Sequence, residues 1–198
     1  MIKFIELSKE EPFEILKKKY HEALDSDQKA INALAISSFS TTAKEVDSRY
    51  VNLKYIIDNE FIFFTNYKSP KSKQFEEHHQ VSALLLWDKI QTQIRIKANI
   101  YKVKEQLSDK HFATRSHKKN ALAISSNQSN EVNSFQVVKN KFEHHLNNSD
   151  LTKRPNSWGG FAFRPYSFEF WTGNENRLNK RDRYIYDKEK WIHSILEP

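Results

Sequence analysis

No glycine occurs before position 159, and the 198-residue chain holds only three: Gly159, Gly160 and Gly173. Glycine is the residue that lets a backbone wrap closely around a phosphate. The first 158 residues therefore contain no G-x-G-x-x-G fingerprint, no Walker A loop and no G-x-S-x-G nucleophile elbow. Any nucleotide-like ligand must be held by side chains and helix ends instead. The lack of cysteine removes a disulfide framework, a thiolate zinc site and a cysteine nucleophile. What remains is a core built from large rings. Only 38% of residues are hydrophobic, but 14 Phe, 8 Tyr and 4 Trp are among them, enough for a folded chain. The length fits one domain over residues 1–198, with an N-terminal helical arm over about 1–28.

The formal net charge is +7. Such a charge fits nucleic acid, an anionic membrane surface or small phosphorylated ligands. The basic residues are mostly interleaved with acids, and Lys17-Lys18-Lys19 is flanked by Glu14 and Glu22, the pattern of a solvated helix face. No apolar stretch approaches the ~20 residues needed to cross a bilayer, and no signal-like h-region opens the chain. The expectation is a cytoplasmic protein that binds neither membrane nor nucleic acid.

Pro12 and the spacing of Phe13, Leu16, Tyr20 and Leu24 predict an amphipathic helix over 11–24. Strands are expected at 32–40, 48–57, 60–66, 81–87 and 91–104, the second and third joined by a turn at Asp58-Asn59. Ser69-Pro70 announces a helix to His79. Short helices follow at 105–115 and 118–126. A longer one over 131–147 carries Val132, Phe135, Val138, Phe142 and Leu146 at helical spacing. Aromatic strands close the chain at 158–171 and 182–196, around a polar loop at 173–181. Strands in runs, without β-α-β alternation, argue for an antiparallel barrel or sandwich with helices added.

The histidine pairs His78-His79 and His144-His145 do not converge on one ion, because adjacent helical residues diverge, so no metal site is expected. Anion binding is better supported. Arg49 and Lys54 lie five apart in one strand, so a regular strand sends them to opposite faces and a bulge would realign them. Ser69-Pro70-Lys71 opens a helix, whose N-terminus attracts phosphate. Arg115, Lys118 and Lys119 form another basic cluster, and Arg177, Lys180, Arg181 and Arg183 a third. Together they point to more than one phosphate.

These residues fall in a recognisable order. Arg49-x-Val51-x-Leu53-Lys54 is followed by Phe63-Phe64-Thr65-Asn66-Tyr67-x-Ser69-x-Lys71, Gln93-Ile94-Arg95, Phe112-x-x-Arg115 and Gln128-Ser129. Then come Trp158-Gly159-Gly160-Phe161, Phe168-Glu169-Phe170-Trp171-x-Gly173 and Arg177-Leu178-x-x-Arg181. The series resembles the pyridoxine/pyridoxamine 5′-phosphate oxidases from about residue 10 to Pro198. The resemblance implies a mainly β fold with helices (α+β), an antiparallel Greek-key split barrel of the FMN-binding type. It implies a homodimer with FMN sites at the subunit interface, built from both chains. The implied reaction, part of vitamin B6 metabolism, oxidises the 4′ carbon of pyridoxine or pyridoxamine 5′-phosphate to the aldehyde, with O2 as acceptor.

Matched position by position, the resemblance assigns Arg49 and Lys71 to the FMN phosphate. It assigns Val51, Leu53, Phe64 and Thr65 to flavin contacts, and Gln93, Gln128, Ser129, Trp171 and Arg181 to the rest of the cofactor site. Lys54, at the edge of that site, and Arg115 match residues that hold the phosphate of a small phosphorylated substrate. Arg177 matches the catalytic arginine over the substrate ring. The chain also departs from the family. Pro70 stands where an FMN-phosphate arginine is usual. His111 replaces a tyrosine and Lys119 a serine at the substrate phosphate. Asn179 takes the place of a catalytic-site histidine, and Lys180 that of an aspartate. These changes fall mostly on the substrate side. They leave open a split-barrel flavoprotein with another substrate, such as a phenazine-type intermediate, or an FMN-binding protein without turnover.

Overall fold

The computed structural model describes residues 1–198. After a short strand β1 (Lys3–Ile5) and helix α1 (Glu11–Asp25) come β2 (Ala33–Ser40), β3 (Glu45–Ile57) and β4 (Glu60–Asn66). Helix α2 (Pro70–Glu77) leads to β5 (Gln80–Trp87) and β6 (Thr92–Lys102). Three helices follow: α3 (Glu105–Ala113), α4 (His117–Ser125) and α5 (Phe135–Asn148). The chain ends with β7 (Trp158–Thr172), β8 (Lys180–Asp187) and β9 (Lys190–Ile195). No helix is long and apolar enough to cross a membrane.

Six strands close a ring. β3 pairs β2, β2 pairs β5, β5 pairs β6, β6 pairs β7, and β4 joins β7 back to β3. Every pairing in the ring is antiparallel; only β1 runs parallel to its neighbour, β3. The ring is the expected split barrel, and the split shows in β7. Its first half pairs β4 through Phe61↔Phe163 and Phe63↔Phe161, and its second half pairs β8 through Ser167↔Ile185 to Thr172↔Lys180. Between the halves the register against β6 slips by one residue, at Pro165-Tyr166. Proline gives the ladder no N–H, and a bulge is where a strand tolerates it.

Alternation fills the barrel. Ile94, Ile96, Ala98 and Ile100 of β6 point inward, and Leu34 and Ile36 of β2 do the same. The Phe61 and Phe163 rings stack at 5.0 Å, and Phe13 of α1 meets Phe168 edge-on at 5.3 Å. Helix α1 lies on this core through Phe13, Leu16, Tyr20 and Ala23. Leu24, expected in that stripe, sits at its edge and is exposed, and Ala23 takes the inner position.

Two further expectations are corrected. The last strand, expected unbroken over 182–196, is the hairpin β8–β9. It turns at Lys188-Glu189, both with positive φ (46° and 64°), a turn with none of the glycine or asparagine that usually marks one. The helix expected from 131 starts at Phe135. Its apolar stripe is not buried: Phe135 is exposed and no residue of α5 is fully covered. The glycines serve close approach rather than turns, since none has positive φ. A Cβ on Gly159 would lie 2.5 Å from Cζ of Tyr67, and one on Gly160 2.9 Å from Cε1 of Phe64.

Candidate functional site

A cleft of about 930 Å³ opens between the β3–β4 side of the barrel, the start of α2 and the α3–α4 segment. Its lining includes Arg49, Val51, Lys54, Phe64, Thr65, Lys71, His111, Arg115, Lys119, Gln128 and Ser129. Residues scattered over eighty positions of sequence thus meet in one place. The bulge anticipated in β3 makes this possible. Leu53 pairs Phe63 and Tyr55 pairs Ile62, so Lys54 is an extra residue, and it reaches the same cleft as Arg49.

Five cations line the cleft against one carboxylate, Asp47. They form two groups. In the first, Lys71 is 9% exposed and sits at the first turn of α2. Its ammonium donates to Ser69 Oγ (3.0 Å) and Gln128 Oε1 (2.9 Å), both neutral acceptors. Burial, and secondarily Arg49, lower its pKa to about 8. Arg49 donates to Ser38 Oγ (2.6 Å) and Gln74 Oε1 (3.2 Å), while Gln74 donates to Asp47 Oδ2 (2.7 Å). Burial draws the Arg49 pKa down, opposed by Asp47. Thr65 donates to Gln128 Oε1 (3.2 Å), and Asn66 to the Ser126 carbonyl (3.0 Å), which ties the 126–129 segment to this wall. Ser129 there has φ of 71°, a conformation that costs a non-glycine residue energy.

The second group is Lys54, Arg115 and Lys119. Burial lowers the Lys54 pKa first, and the charges of Lys119 and Arg115 add to it. Arg115 lies over the Trp158 ring at 4.2 Å and donates to the Lys119 carbonyl (2.6 Å). Its Nε is buried without a partner. Beside these, His111 stacks on Phe64 (3.9 Å between centroids, 11° between planes). Burial, then Arg115, Lys54, Lys3 and Lys119, push its pKa down to about 4. His111 is therefore neutral near pH 7. Neither Lys71 nor Arg115 makes an ion pair. Cations that are buried, like Lys71, or partly buried, like Arg115, are costly without a counter-charge, and an anion in each place would balance them.

The remaining residues singled out from the sequence do not line this cleft. Leu53 is fully buried in the core. Gln93, Trp171 and Arg181 stand side by side in one row across β6, β7 and β8. Glu169, 9% exposed, accepts from Arg181 (2.9 Å) and from Arg95 (3.0 Å) beside that row. Arg177 has φ of 59° in the loop before β8, and the Asn179 side chain accepts from the Asn174 N–H (3.1 Å). A single chain therefore carries two separate groups of candidate residues.

Sequence reasoning missed Ser38, Gln74, Tyr55 and Trp158. For Ser38 a signal existed: it continues the inward row of Leu34 and Ile36, where a polar side chain needs a reason.

Two family models cover most of the chain. The one described as pyridoxamine 5′-phosphate oxidase matches residues 18–147. The one described as the pyridoxine 5′-phosphate oxidase C-terminal dimerisation region matches 158–198. The pyridoxine/pyridoxamine 5′-phosphate oxidase of Leptospira biflexa is 34% identical over 95% of this chain and 89% of its own length. That of Rippkaea orientalis is 33% identical over 95% and 90%. Among solved structures, PhzG of Burkholderia lata, in complex with tetrahydrophenazine-1-carboxylic acid, aligns with a TM-score of 0.89 and 28% identity, over 95% of this chain and 93% of its own. A pyridoxamine 5′-phosphate oxidase-related, FMN-binding protein of Nostoc punctiforme shares the fold, with a TM-score of 0.76 and 12% identity over 92% and 96%.

Proposed function

Because the chain belongs to the pyridoxine/pyridoxamine 5′-phosphate oxidase family of FMN-dependent oxidoreductases, we propose that it oxidises pyridoxine 5′-phosphate or pyridoxamine 5′-phosphate to pyridoxal 5′-phosphate. The observation that carries this reading is two groups of cations at one cleft, five in all against the single carboxylate of Asp47, which pairs with Arg49. One group suits the phosphate of the cofactor, the other the phosphate of a substrate.

The donor set fits FMN. Lys71 lacks an anion, and Arg49, already oriented by Ser38 and Gln74, is the bidentate partner a phosphate takes. Pro70 contributes no N–H, so these two side chains hold that phosphate. Val51, Phe64, Thr65, Gln128 and Ser129 form the wall beside it. When bound, FMN would supply the redox chemistry for removing a hydride from the 4′ carbon, with O2 as final acceptor and hydrogen peroxide as its product. The protein binds and orients. Lys54, Arg115 and Lys119 attract the substrate phosphate, and His111 offers it a neutral donor. Arg177 and Asn179 belong at the substrate ring.

Gln93, Trp171, Arg177, Asn179 and Arg181 reach such a site only if a second chain supplies them. All but Gln93 fall in the segment that matches the family's dimerisation region. We therefore place the FMN sites at the interface of a homodimer.

A phenazine-type substrate is the second reading. It is favoured by the likeness to PhzG, and by Asn179, whose side chain is spent on its own loop. A carboxylate needs one arginine; three cations and a histidine match a phosphate dianion better. Aerobic incubation of the FMN-loaded protein with each phosphate ester separates the readings. Pyridoxal 5′-phosphate and hydrogen peroxide in equal amounts are expected. A reduced phenazine carboxylate consumed while both esters stay intact would favour the second reading.

A further inference from the structure

His111 and Tyr55 form a contact that the assignments above leave unused. The Tyr55 hydroxyl and His111 Nδ1 are 2.8 Å apart, and this is the only hydrogen bond either side chain makes. The Tyr55 ring meets the His111 ring edge-on at 5.4 Å, so the pair is fixed in orientation as well as distance. On its other side His111 is stacked on Phe64. His111 lines the cleft and Tyr55 does not. With Nδ1 turned to Tyr55, Nε2 is the ring nitrogen left for the cleft.

The direction of the bond decides what the cleft receives. Burial raises the Tyr55 pKa, so the phenol keeps its proton and is a donor. If Nδ1 carried the imidazole proton, the Tyr55 O–H would find no acceptor within the protein. If Tyr55 donates, Nδ1 is the acceptor and the single N–H of the neutral ring sits on Nε2. The charged groups around the ring are Lys54 on β3, Lys3 on β1, Arg115 after α3 and Lys119 on α4, all cationic. The other close faces, Phe64 on β4 and Trp158 on β7, are uncharged rings. Burial, and then the four cations, disfavour an imidazolium, so a neutral donor is what this place can hold.

We propose that Tyr55 is a positioning residue: its hydroxyl locks His111 as the Nε2–H tautomer, so that Nε2 donates to the anion gathered by Lys54, Arg115 and Lys119. Tyr55 and His111 together thus replace the single tyrosine usual at position 111. The proposal rests on the assignment of this group to an anion, but not on which phosphorylated compound is oxidised.

The test has two arms on the FMN-loaded protein. Long-range proton–nitrogen spectra at neutral pH, with His111 identified by its loss in His111→Phe, should show Nδ1 bare and Nε2 protonated. Inorganic phosphate should then shift the Nε2 signal. The Nδ1–H tautomer, or an even mixture, would overturn the proposal even if pyridoxine 5′-phosphate is turned over. The spectrum stands equally if that ester is not a substrate. In the second arm, Tyr55→Phe should weaken inorganic phosphate roughly threefold to tenfold, the loss of about one neutral hydrogen bond. FMN affinity should not change, and Tyr55→Phe in a His111→Phe chain should have no further effect. Equal weakening in both backgrounds would show that Tyr55 acts on packing and not through His111.

Discussion

Lys71 is a nearly buried cation whose only partners are neutral oxygens. Its pKa of about 8 makes it a reporter of the anion proposed to bind beside it. A phosphate beside it favours the charged form, so binding above pH 8 must take up a proton. FMN affinity is expected to stay level between about pH 7 and 8. It should then fall as pH rises, by up to about tenfold per unit. A fluorescence titration of the apoprotein against pH measures this, and Lys71→Met should lower the affinity and flatten the profile. Arg115 serves the other group. Arg115→Ala should weaken a phosphorylated substrate by roughly tenfold to a hundredfold, about 1.5–3 kcal/mol. FMN binding should change far less; equal losses for both ligands would contradict the division into two groups. His111 titrates in the opposite context. Its folded pKa is about 4 against an ordinary 6.5. The unfolded chain therefore takes up a proton that the folded chain refuses, and the folded state loses stability as pH falls from 6.5 through 4. Urea denaturation of the apoprotein should show this slope, and His111→Tyr should reduce it.

At the scale of elements, most of the barrel was legible because hydrophobic alternation and helical spacing are local signals. The strands of the ring and the helix begun by Ser69-Pro70 lie where the residue pattern puts them, within a few positions. The hairpin at Lys188-Glu189 was not legible, because its left-handed residues are charged side chains and not glycine or asparagine. The stripe on α5 misled, because spacing shows that a face is apolar and not that anything covers it. The bulge at Lys54 could be named only as one of two alternatives, since a slip in pairing depends on the partner strand. Glycine scarcity proved a packing signal. Gly159 exists because the Tyr67 ring occupies the place of its side chain. Gly159→Ala should cost about 1–3 kcal/mol of stability by overpacking, seen as a lower Tm. An unchanged Tm would mean that Tyr67 moves aside freely.

The whole molecule presents one group of candidate residues at the cleft and another on the row Gln93, Trp171 and Arg181. Order along the chain suffices to nominate both groups, but not to say that they lie apart in one protomer; that needs the closed ring of strands. If two chains complete each site, Lys71→Ala and Arg181→Ala should each lose FMN alone. Mixed by unfolding and refolding together, they should recover about a quarter of the sites, because each mixed dimer contains one intact pair. Absorbance of bound flavin gives the count, and no recovery would mean that the row does not serve a partner's cleft. Beyond assembly, the proposed function requires the cleft to bring a flavin and a phosphorylated substrate together. The direct measurement is anaerobic mixing of the FMN-loaded protein with pyridoxine 5′-phosphate, pyridoxamine 5′-phosphate or unphosphorylated pyridoxine, followed by admission of air. The two phosphate esters should bleach the flavin at concentrations that leave it coloured with pyridoxine, and air should restore the colour. A flavin that stays oxidised with both esters would contradict the proposed function.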